Sequence, residues 1–302
     1  MFHGFTYPAV LAASNRAAWQ VEDVLPDGTM LDFSRPFLPQ ALAPTPGIGL
    51  SDGEALILNQ IRGHEYLSIF GLVEEFILPF VLDQLREDVG RDDHRARALL
   101  QFAGEEAKHI HLFKRFHAAF TGGFATECPV IGPPEAIAAE VLRHHPLAVA
   151  LAILHIEWMT QRHYLDSVRD DSGIDPLFAS LLRHHWMEEA QHAKLDTLIV
   201  EALAARLSPA EIATAIEEYL EIGMFLDAGL KTQAELNLDA LEQAAGRHLP
   251  SAVHEELLAQ QHQALRWTYL GSGMTHPNFT QTLGAISPAG RQRVAAVAPA
   301  FC

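Results

Sequence analysis

Two nearly identical pentads carry residue types that often do chemistry. Glu-Glu-Ala-Lys-His occupies residues 105–109, and Glu-Glu-Ala-Gln-His occupies residues 188–192. In each pentad the second glutamate and the histidine are three positions apart, so on a helix a carboxylate and an imidazole share one face. One Glu-x-x-His is weak evidence, but two copies inside the same pentad indicate a common task such as metal binding.

Each pentad has a further glutamate upstream at the same distance. Glu74 precedes Glu106 by 32 positions (106 − 74), and Glu157 precedes Glu189 by 32 positions (189 − 157). Both upstream glutamates interrupt strongly apolar stretches, where an unpaired carboxylate is very costly to bury. They therefore need a positive partner. Glu75 is an alternative to Glu74 for the first of these positions.

The four glutamates and two histidines make up a recognisable ligand set. Carboxylates that meet in one core repel each other, and two divalent cations between them would remove the repulsion and the burial cost. One Glu and one Glu-x-x-His from each of two helix pairs is the set used by di-iron and di-manganese bundles. Oxygen ligands with imidazole suit iron or manganese better than a sulfur-friendly zinc site. We therefore predict two iron ions, with manganese or a mixed Mn/Fe pair as the alternative.

Three more residues extend the predicted site. His185 lies four positions before Glu189 and seven before His192 on the same helical face, so we expect it to add a nitrogen ligand to the metal of that half. An ordinary core histidine is the alternative. Glu105 and Glu188 directly precede the ligand glutamates, and we expect them to accept hydrogen bonds from ligand imidazoles. A solvated helix face is the alternative for these two.

Helical periodicity and capping signals dominate from residue 51 onward. Ser51 and Glu54 match a capping box, whereas residues 1–50 are rich in Pro and Gly and show no sustained period. The sequence predicts helices over residues 51–89, from 92 or 93 to 120, 135–144, 146–169, 176–206, from 209 onward and 251–270, with a loop-like stretch over the last thirty residues.

These elements predict an all-α chain with a four-helix bundle at its centre. The predicted parts are an extended N-terminal arm (1–50), the di-metal bundle (51–206), and a C-terminal helical extension and tail packed on the same domain (207–302). No stretch of linker composition divides them. The four long central helices would each contribute to the metal site.

Composition limits the class of function. The 302 residues carry a formal net charge of −17 with no basic stripe, which argues against nucleic-acid binding. The two cysteines form neither a disulfide framework nor a thiolate zinc site, so we expect a cytoplasmic protein. The most apolar run, residues 147–159, is too short to span a bilayer and contains charged and polar positions.

At these residues the chain resembles the ferritin-like di-iron oxygenases. The additional histidine, in the register His-x-x-x-Glu-x-x-His, resembles the p-aminobenzoate N-oxygenase type, and the acidic residue before each ligand glutamate is similar to the bacterial multicomponent monooxygenases. The resemblance covers about residues 54–206. It implies seven metal ligands: Glu74, Glu106, His109, Glu157, His185, Glu189 and His192.

The leading functional hypothesis is an O2-activating oxidase or monooxygenase that acts on a small organic substrate, with N-oxygenation of an amine as its narrower form. It implies an external electron donor such as a ferredoxin or a reductase, and a homodimer is a further expectation. A ferroxidase or iron-handling protein is the alternative, and a helical interaction protein without catalysis is a third hypothesis.

Overall fold

Helices account for all regular structure in the part of the chain that the computed structural model describes, residues 3–45, 49–86, 90 and 93–302. The all-α prediction is confirmed. The predicted end of the first long helix near Val89 lies outside the described residues.

Four long helices form the central bundle. They are α3 (Asp52–Arg86), α4 (Asp93–Gly123), α6 (Pro146–His163) and α7 (Pro176–Ala204). Helix α3 packs along α4 and α6 packs along α7, while α4 also contacts α7. A single π-helical stretch, Tyr164–Val168, continues α6. The bundle thus consists of two sequential helix pairs, as the repeated spacing of 32 residues predicts.

Capping side chains fix where these helices begin. Ser51 and Glu54 form the predicted capping box: the Ser51 N–H donates to Glu54 Oε2 at 2.8 Å, and the Glu54 N–H donates to Ser51 Oγ at 3.4 Å. At the start of α7, the Asp175 carboxylate accepts the Phe178 N–H at 2.8 Å. Such caps satisfy backbone donors that the first helical turn leaves free.

Three further helices surround the bundle. Helix α5 (Pro134–Leu142) precedes α6, and α8 (Pro209–Ala245) packs on both α3 and α6. Helix α8 ends at Gly246, whose φ of +66° is the left-handed conformation that glycine adopts without strain. Helix α9 (Ser251–Arg266) then packs back on α8, with the π-helical residues Trp267–Gly271 continuing it.

The N-terminal segment is helical in part, which corrects the prediction of a purely extended arm. Helices α1 (Tyr7–Ala17) and α2 (Val21–Val24) pack on α4 and α7. Thr6 caps α1 by accepting the Ala9 N–H at 3.4 Å. The apolar periodicity of the sequence did not reveal α1, because this helix has only 11 residues and is flanked by segments rich in proline and glycine.

The last thirty residues are also helical, so the predicted loop-like tail is wrong. Helices α10 (Ser272–Met274), α11 (Pro277–Ile286) and α12 (Pro288–Val297) lead to a final 3-10 turn, Ala298–Phe301. The prolines that suggested a loop stand at the first helical positions, where a missing N–H costs nothing. Ser287, which precedes one of them, caps α12.

A buried ion pair ties α3 to the C-terminal helices. Arg62 Nε donates to Glu65 Oε2 at 2.7 Å, and both side chains are 1% exposed. Their remaining groups are bonded to residues far along the chain: Arg62 Nη1 donates to Gln261 Oε1 at 2.7 Å, and the Tyr269 hydroxyl donates to Glu65 Oε1 at 2.7 Å. A buried pair is stable only when these extra bonds are present.

One apolar core runs through all three predicted parts of the chain, from Val10 to Phe301. The division into arm, bundle and extension remains a prediction. Across the described ranges, none of the helices combines the length and the apolar character that a membrane crossing requires.

Gly273 provides a test of how closely α10 packs on α6. A Cβ at this position would overlap the ring of His155 and come within 2.7 Å of the His155 carbonyl oxygen. We expect Gly273→Ala to lower the free energy of unfolding by about 1–3 kcal/mol, the usual cost of overpacking a core. Thermal and urea denaturation would measure the change.

Gly104→Ala is the matched control, because a Cβ there meets nothing within 4 Å. It should be neutral or slightly stabilising, since alanine is favoured over glycine inside a helix. Equal stability of the two variants would contradict the described packing of α10.

Candidate metal centre

Four helices place the predicted ligand side chains at one level of the bundle. Helices α3 and α6 each contribute one glutamate, and α4 and α7 each contribute a Glu-x-x-His. All these side chains are at most 3% exposed. The seven residues are Glu74, Glu106, His109, Glu157, His185, Glu189 and His192.

The first group of candidate ligands consists of Glu74, His109, His185 and Glu189. His185 Nε2 lies 3.1 Å from Glu74 Oε1 and 2.9 Å from Glu189 Oε1. His109 Nδ1 lies 3.0 Å from the same Glu189 oxygen. Each of the four residues offers one ligand atom, and these atoms all lie within 4.8 Å of one another.

The second group consists of Glu106, His109, Glu189 and His192. His192 Nδ1 lies 2.9 Å from Glu106 Oε1 and 3.4 Å from Glu189 Oε2. The two groups share His109 and Glu189. Glu189 therefore directs one oxygen to each side, as a bridging carboxylate does.

His185 falls in a different group from the one its sequence position suggested. It lies beside Glu74 and His109, whereas the prediction assigned it to the same metal as His192. The physical reason is the helical rise: seven residues separate the two histidines by about 10 Å along the axis of α7. Glu189 stands between them, so the two rings reach opposite sides of it.

Glu157 lies at the edge of the cluster. It is 1% exposed and hydrogen-bonded to Glu189, although it belongs to neither group of four. Glu75, the alternative to Glu74, points away: its carboxylate is 34% exposed and pairs with Lys114 at 3.2 Å. The geometry thus favours Glu74 for the position on α3.

The two outer glutamates, Glu105 and Glu188, accept hydrogen bonds from the histidines, and these bonds run from one helix pair to the other. His109 Nε2 donates to Glu188 Oε2 at 2.8 Å, and His192 Nε2 donates to Glu105 Oε2 at 2.9 Å. Each bond keeps a proton on Nε2, so Nδ1, which faces the cluster, is the nitrogen available to a metal. Helices α4 and α7 are thereby joined twice.

A further layer of side chains, absent from the sequence prediction, supports the outer glutamates. The Ser14 hydroxyl of α1 and the Gln101 amide both donate to Glu105 Oε1. The Lys108 ammonium donates to Glu188 Oε1 and to the carbonyl oxygen of Trp19. Gln101 lies one turn before Glu105 on α4, whereas the contacts of Ser14 and Lys108 join residues remote in sequence, so no spacing rule predicts those two.

Burial and mutual repulsion change the protonation of the ion-free cluster. Burial, followed by the charge of Glu74, raises the pKa of Glu106 to about 7. Burial and the neighbouring Glu189 raise the pKa of Glu157 well above its usual range. Burial would lower the pKa values of His109 and His192, but the surrounding carboxylates outweigh it and raise both well above 6.5.

The unsatisfied atoms of the cluster fit a pair of cations. Both carboxylate oxygens of Glu106 and the Nδ1 atoms of His109 and His192 are buried without a hydrogen-bond partner of acceptable geometry. So are Glu74 Oε2 and Glu157 Oε2. Buried polar atoms are seldom left in this state, and carboxylate oxygens with imidazole nitrogens are the donors that iron and manganese take.

Asp196 is a further buried acid that the sequence analysis missed. It lies one turn after His192 on α7, is 1% exposed, and neither of its oxygens has a partner. Burial raises the pKa of Asp196 well above its usual range, with the charges of Glu106 and Glu189 acting in the same direction. Its position four residues after a ligand histidine was the signal that could have identified it.

Comparison with known proteins gives limited information. No family model matches the chain, and no curated protein matches it either. Among solved structures, an R2-like ligand-binding oxidase variant with an aerobically reconstituted Fe/Fe cofactor is 15% identical, with a TM-score of 0.48, over 87% of this chain and 93% of the other.

A second variant of an R2-like ligand-binding oxidase, with an aerobically reconstituted Mn/Fe cofactor, is 15% identical with a TM-score of 0.48, over 89% of this chain and 98% of the other. A third, with an anaerobically reconstituted Mn/Fe cofactor, is 14% identical with a TM-score of 0.47. Similarity of this degree carries no conclusion about function, so the assignment of the metal centre rests on the geometry described above.

Both ligand groups contain Glu189, whereas only one contains Glu106, so substitutions of these two residues should lower the metal content by different amounts. We expect the unaltered chain, purified from iron-supplemented culture, to hold close to two metal ions. Glu189→Ala should lose both, because both ligand groups use this residue. Glu106→Ala, which disrupts only the second group, should retain about one. Elemental analysis would measure the content.

Glu75→Ala is the control, since this carboxylate is partly exposed and pairs with Lys114. It should retain the full metal content. A chain that holds much less than one metal ion before any substitution would contradict the assignment.

The raised pKa values also predict how stability depends on pH. Without metal, Glu106, Glu157, His109 and His192 hold protons more tightly in the folded than in the unfolded chain. Stability falls as pH rises wherever the folded state binds more protons. Several buried histidines outside the cluster have lowered pKa values and act in the opposite direction below about pH 6. We therefore expect the free energy of unfolding to decrease between about pH 6 and pH 8 in the presence of EDTA.

Metal should reverse this dependence. Bound ligands are deprotonated, whereas unfolded histidines still take up protons below about pH 6.5. With saturating Mn²⁺, the free energy of unfolding should rise over the same interval. Urea denaturation at several pH values would test both slopes, and slopes of equal sign with and without Mn²⁺ would contradict the proposed ligands.

Proposed function

We propose that this chain is an O2-activating di-iron oxidase or monooxygenase that acts on a small organic substrate. The observation that supports this best is the pair of adjoining, water-excluded ligand groups that share Glu189. Two redox-active metals held in this way would supply electrons and a binding site for O2. A mixed Mn/Fe pair is the alternative metal content.

A large apolar cavity beside the cluster supports an organic substrate. Its volume is about 650 Å³, within the range of small-molecule sites. Helices α3, α6 and α8 form its walls, together with the loop over residues 129–132. Val73 and Ile156 of its lining directly precede Glu74 and Glu157, and the ring of Phe70 lies 5.4 Å from that of His185.

The lining of this cavity indicates an uncharged ligand. None of the described residues that line it carries a charge. Its two hydroxyl groups are engaged elsewhere, because Thr232 donates to the Ala228 carbonyl oxygen and Tyr269 donates to Glu65. A substrate with its own charge would find no partner here, so desolvation would oppose its binding.

His185 connects the cavities with the cluster. Phe70 of the larger cavity and Phe113 of a second cavity, of about 490 Å³, both pack edge-on against its imidazole at 5.4 and 5.1 Å. These rings exclude water from the cluster while leaving apolar surface beside it. In the proposed reaction they would place a substrate next to the metals without supplying a competing ligand.

N-oxygenation of an uncharged arylamine is the narrower form of the proposal. One oxygen atom of O2 would be added to the amine nitrogen to give a hydroxylamine, and the other would leave as water. That balance needs two electrons and two protons from an external donor such as a ferredoxin or a reductase. The third histidine of the cluster and the apolar lining support this form.

The iron-handling alternative is less compatible with the larger cavity. Iron entry requires carboxylates or other hydrophilic ligands along a path, and the described lining of that cavity offers none. Release of ferric mineral without any dependence on an organic compound would nevertheless support a ferroxidase.

Two arylamines distinguish an oxidase with an uncharged organic substrate from a ferroxidase. We expect protein reconstituted with Fe²⁺ and a chemical reductant to oxidise aniline at least about tenfold faster than 4-aminobenzoate, because the carboxylate of the latter has no partner in the cavity. Product formation and O2 consumption would be measured together. Consumption of O2 at the same rate without either amine would contradict an organic substrate.

A substitution at the rim of the cavity gives the structural test. Thr232 is exposed, so Thr232→Trp should cover the cavity without burying a polar group. Aniline turnover should fall about tenfold, the effect of a displaced substrate, while metal content stays unchanged. Lys231→Trp, on the neighbouring exposed position outside the lining, is the matched control and should behave like the unaltered chain.

A further inference from the structure

The two pentads differ at a single position. Residue 108 is lysine in the first, and residue 191, its counterpart 83 positions later (191 − 108), is glutamine in the second. Both positions lie between an outer glutamate and a ligand histidine on the same helix. The structure shows that this difference changes the electrostatics around one half of the cluster only.

Lys108 neutralises the outer glutamate of one half. Its ammonium pairs with Glu188, which is fully buried and also accepts the hydrogen bond from His109. Two further contacts hold the ammonium in place: it lies 4.1 Å from the centroid of the Trp19 ring and donates to the Trp19 carbonyl oxygen at 3.2 Å. The lysine side chain is only 18% exposed, which limits screening by solvent.

The other half lacks this charge. Glu105 contacts His192, the Ser14 hydroxyl and the Gln101 amide, and the last two are neutral donors. Gln191 is used elsewhere, since its carbonyl oxygen accepts a hydrogen bond from Lys194 at 3.1 Å. Within the described contacts, the carboxylate behind His192 therefore has only neutral donors besides the histidine, whereas the carboxylate behind His109 is also paired with an ammonium.

A carboxylate behind a metal-bound imidazole makes the imidazole a stronger donor, and a cation on that carboxylate reduces the effect. The ammonium also repels a nearby metal ion directly. His109 lies within reach of both ligand groups, but its Nδ1 is 3.0 Å from Glu189 Oε1, the oxygen of the first group, and 4.0 Å from Glu106 of the second, so it mainly serves the first position. We infer that Lys108 makes the two metal positions electrostatically unequal, by weakening this position served by His109 relative to the one served by His192. Lys108 acts through Glu188, so it is a positioning residue.

This inference requires only that the cluster binds two divalent metals, and not that the chain is an oxidase. Mn²⁺ alone is a suitable probe because it can be titrated in air. Calorimetric titration would give the affinities of the two binding steps. Anomalous scattering at the manganese edge, at less than one equivalent of Mn²⁺, would show which position fills.

Lys108→Gln makes the two pentads identical. We expect it to raise the Mn²⁺ affinity of the position served by His109 about tenfold or more, as outer-sphere changes commonly do, and to leave the other position unchanged. Occupancy at low Mn²⁺ should shift toward His109. Lys108→Arg, which keeps the charge beside Glu188, should behave like the unaltered chain.

Gln191→Lys is the reciprocal variant and remains informative if Lys108→Gln does not fold. Because Lys108 reaches Glu188 from the corresponding position of the first pentad, we expect a lysine at residue 191 to reach Glu105. The position served by His192 should then lose affinity by a similar factor. Lys194→Gln is the control on the same helix, because its ammonium contacts Gln191 and no outer glutamate. Lys194→Gln should leave the Mn²⁺ affinity of both binding steps unchanged.

Three results would overturn the inference: equal shifts of both positions in Lys108→Gln, no shift at all, or the same shift in Lys108→Arg. Failure of the unaltered chain to bind Mn²⁺ would instead contradict the assignment of the metal centre itself. Reduction potentials of the iron-loaded protein give an independent readout, since loss of the lysine should lower the potential of one iron more than that of the other.

Discussion

Crowded negative charge in a water-free space is the constraint that the rest of the structure satisfies. Glu74, Glu106, Glu157 and Glu189 are each at most 3% exposed, so their mutual repulsion is screened little by solvent. In the ion-free chain, protons on the histidines and on Glu106 compensate part of it. Two divalent cations would compensate more of it, which explains why four apolar helix faces carry acids at the same level.

The outer glutamates also join helices α4 and α7 mechanically. Glu188 belongs to α7 but binds His109 of α4, and Glu105 belongs to α4 but binds His192 of α7. A shift of one helix along the other would break both bonds at once. Rotation of either imidazole is limited for the same reason, so Nδ1 of each ring already faces the cluster before any metal arrives.

Helical periodicity was sufficient to predict which side chains meet inside the bundle, but not their grouping or their support. The spacing of 32 residues and the Glu-x-x-His pattern identify side chains on one face of each helix, and these do converge. Periodicity gives the helix face on which a residue lies, but not its height along the helix axis. That height decides on which side of Glu189 the ring of His185 lies. Ser14 lies 91 positions from Glu105, and no local pattern can relate them.

The buried pair of Arg62 and Glu65 bears on how this chain unfolds. Helix α3 carries a ligand glutamate, yet the charges at its middle are satisfied by Gln261 and Tyr269 from the C-terminal helices. Detachment of those helices would break both of these hydrogen bonds and leave the ion pair with fewer partners, which a buried pair tolerates poorly. We therefore expect the bundle and the C-terminal helices to unfold together.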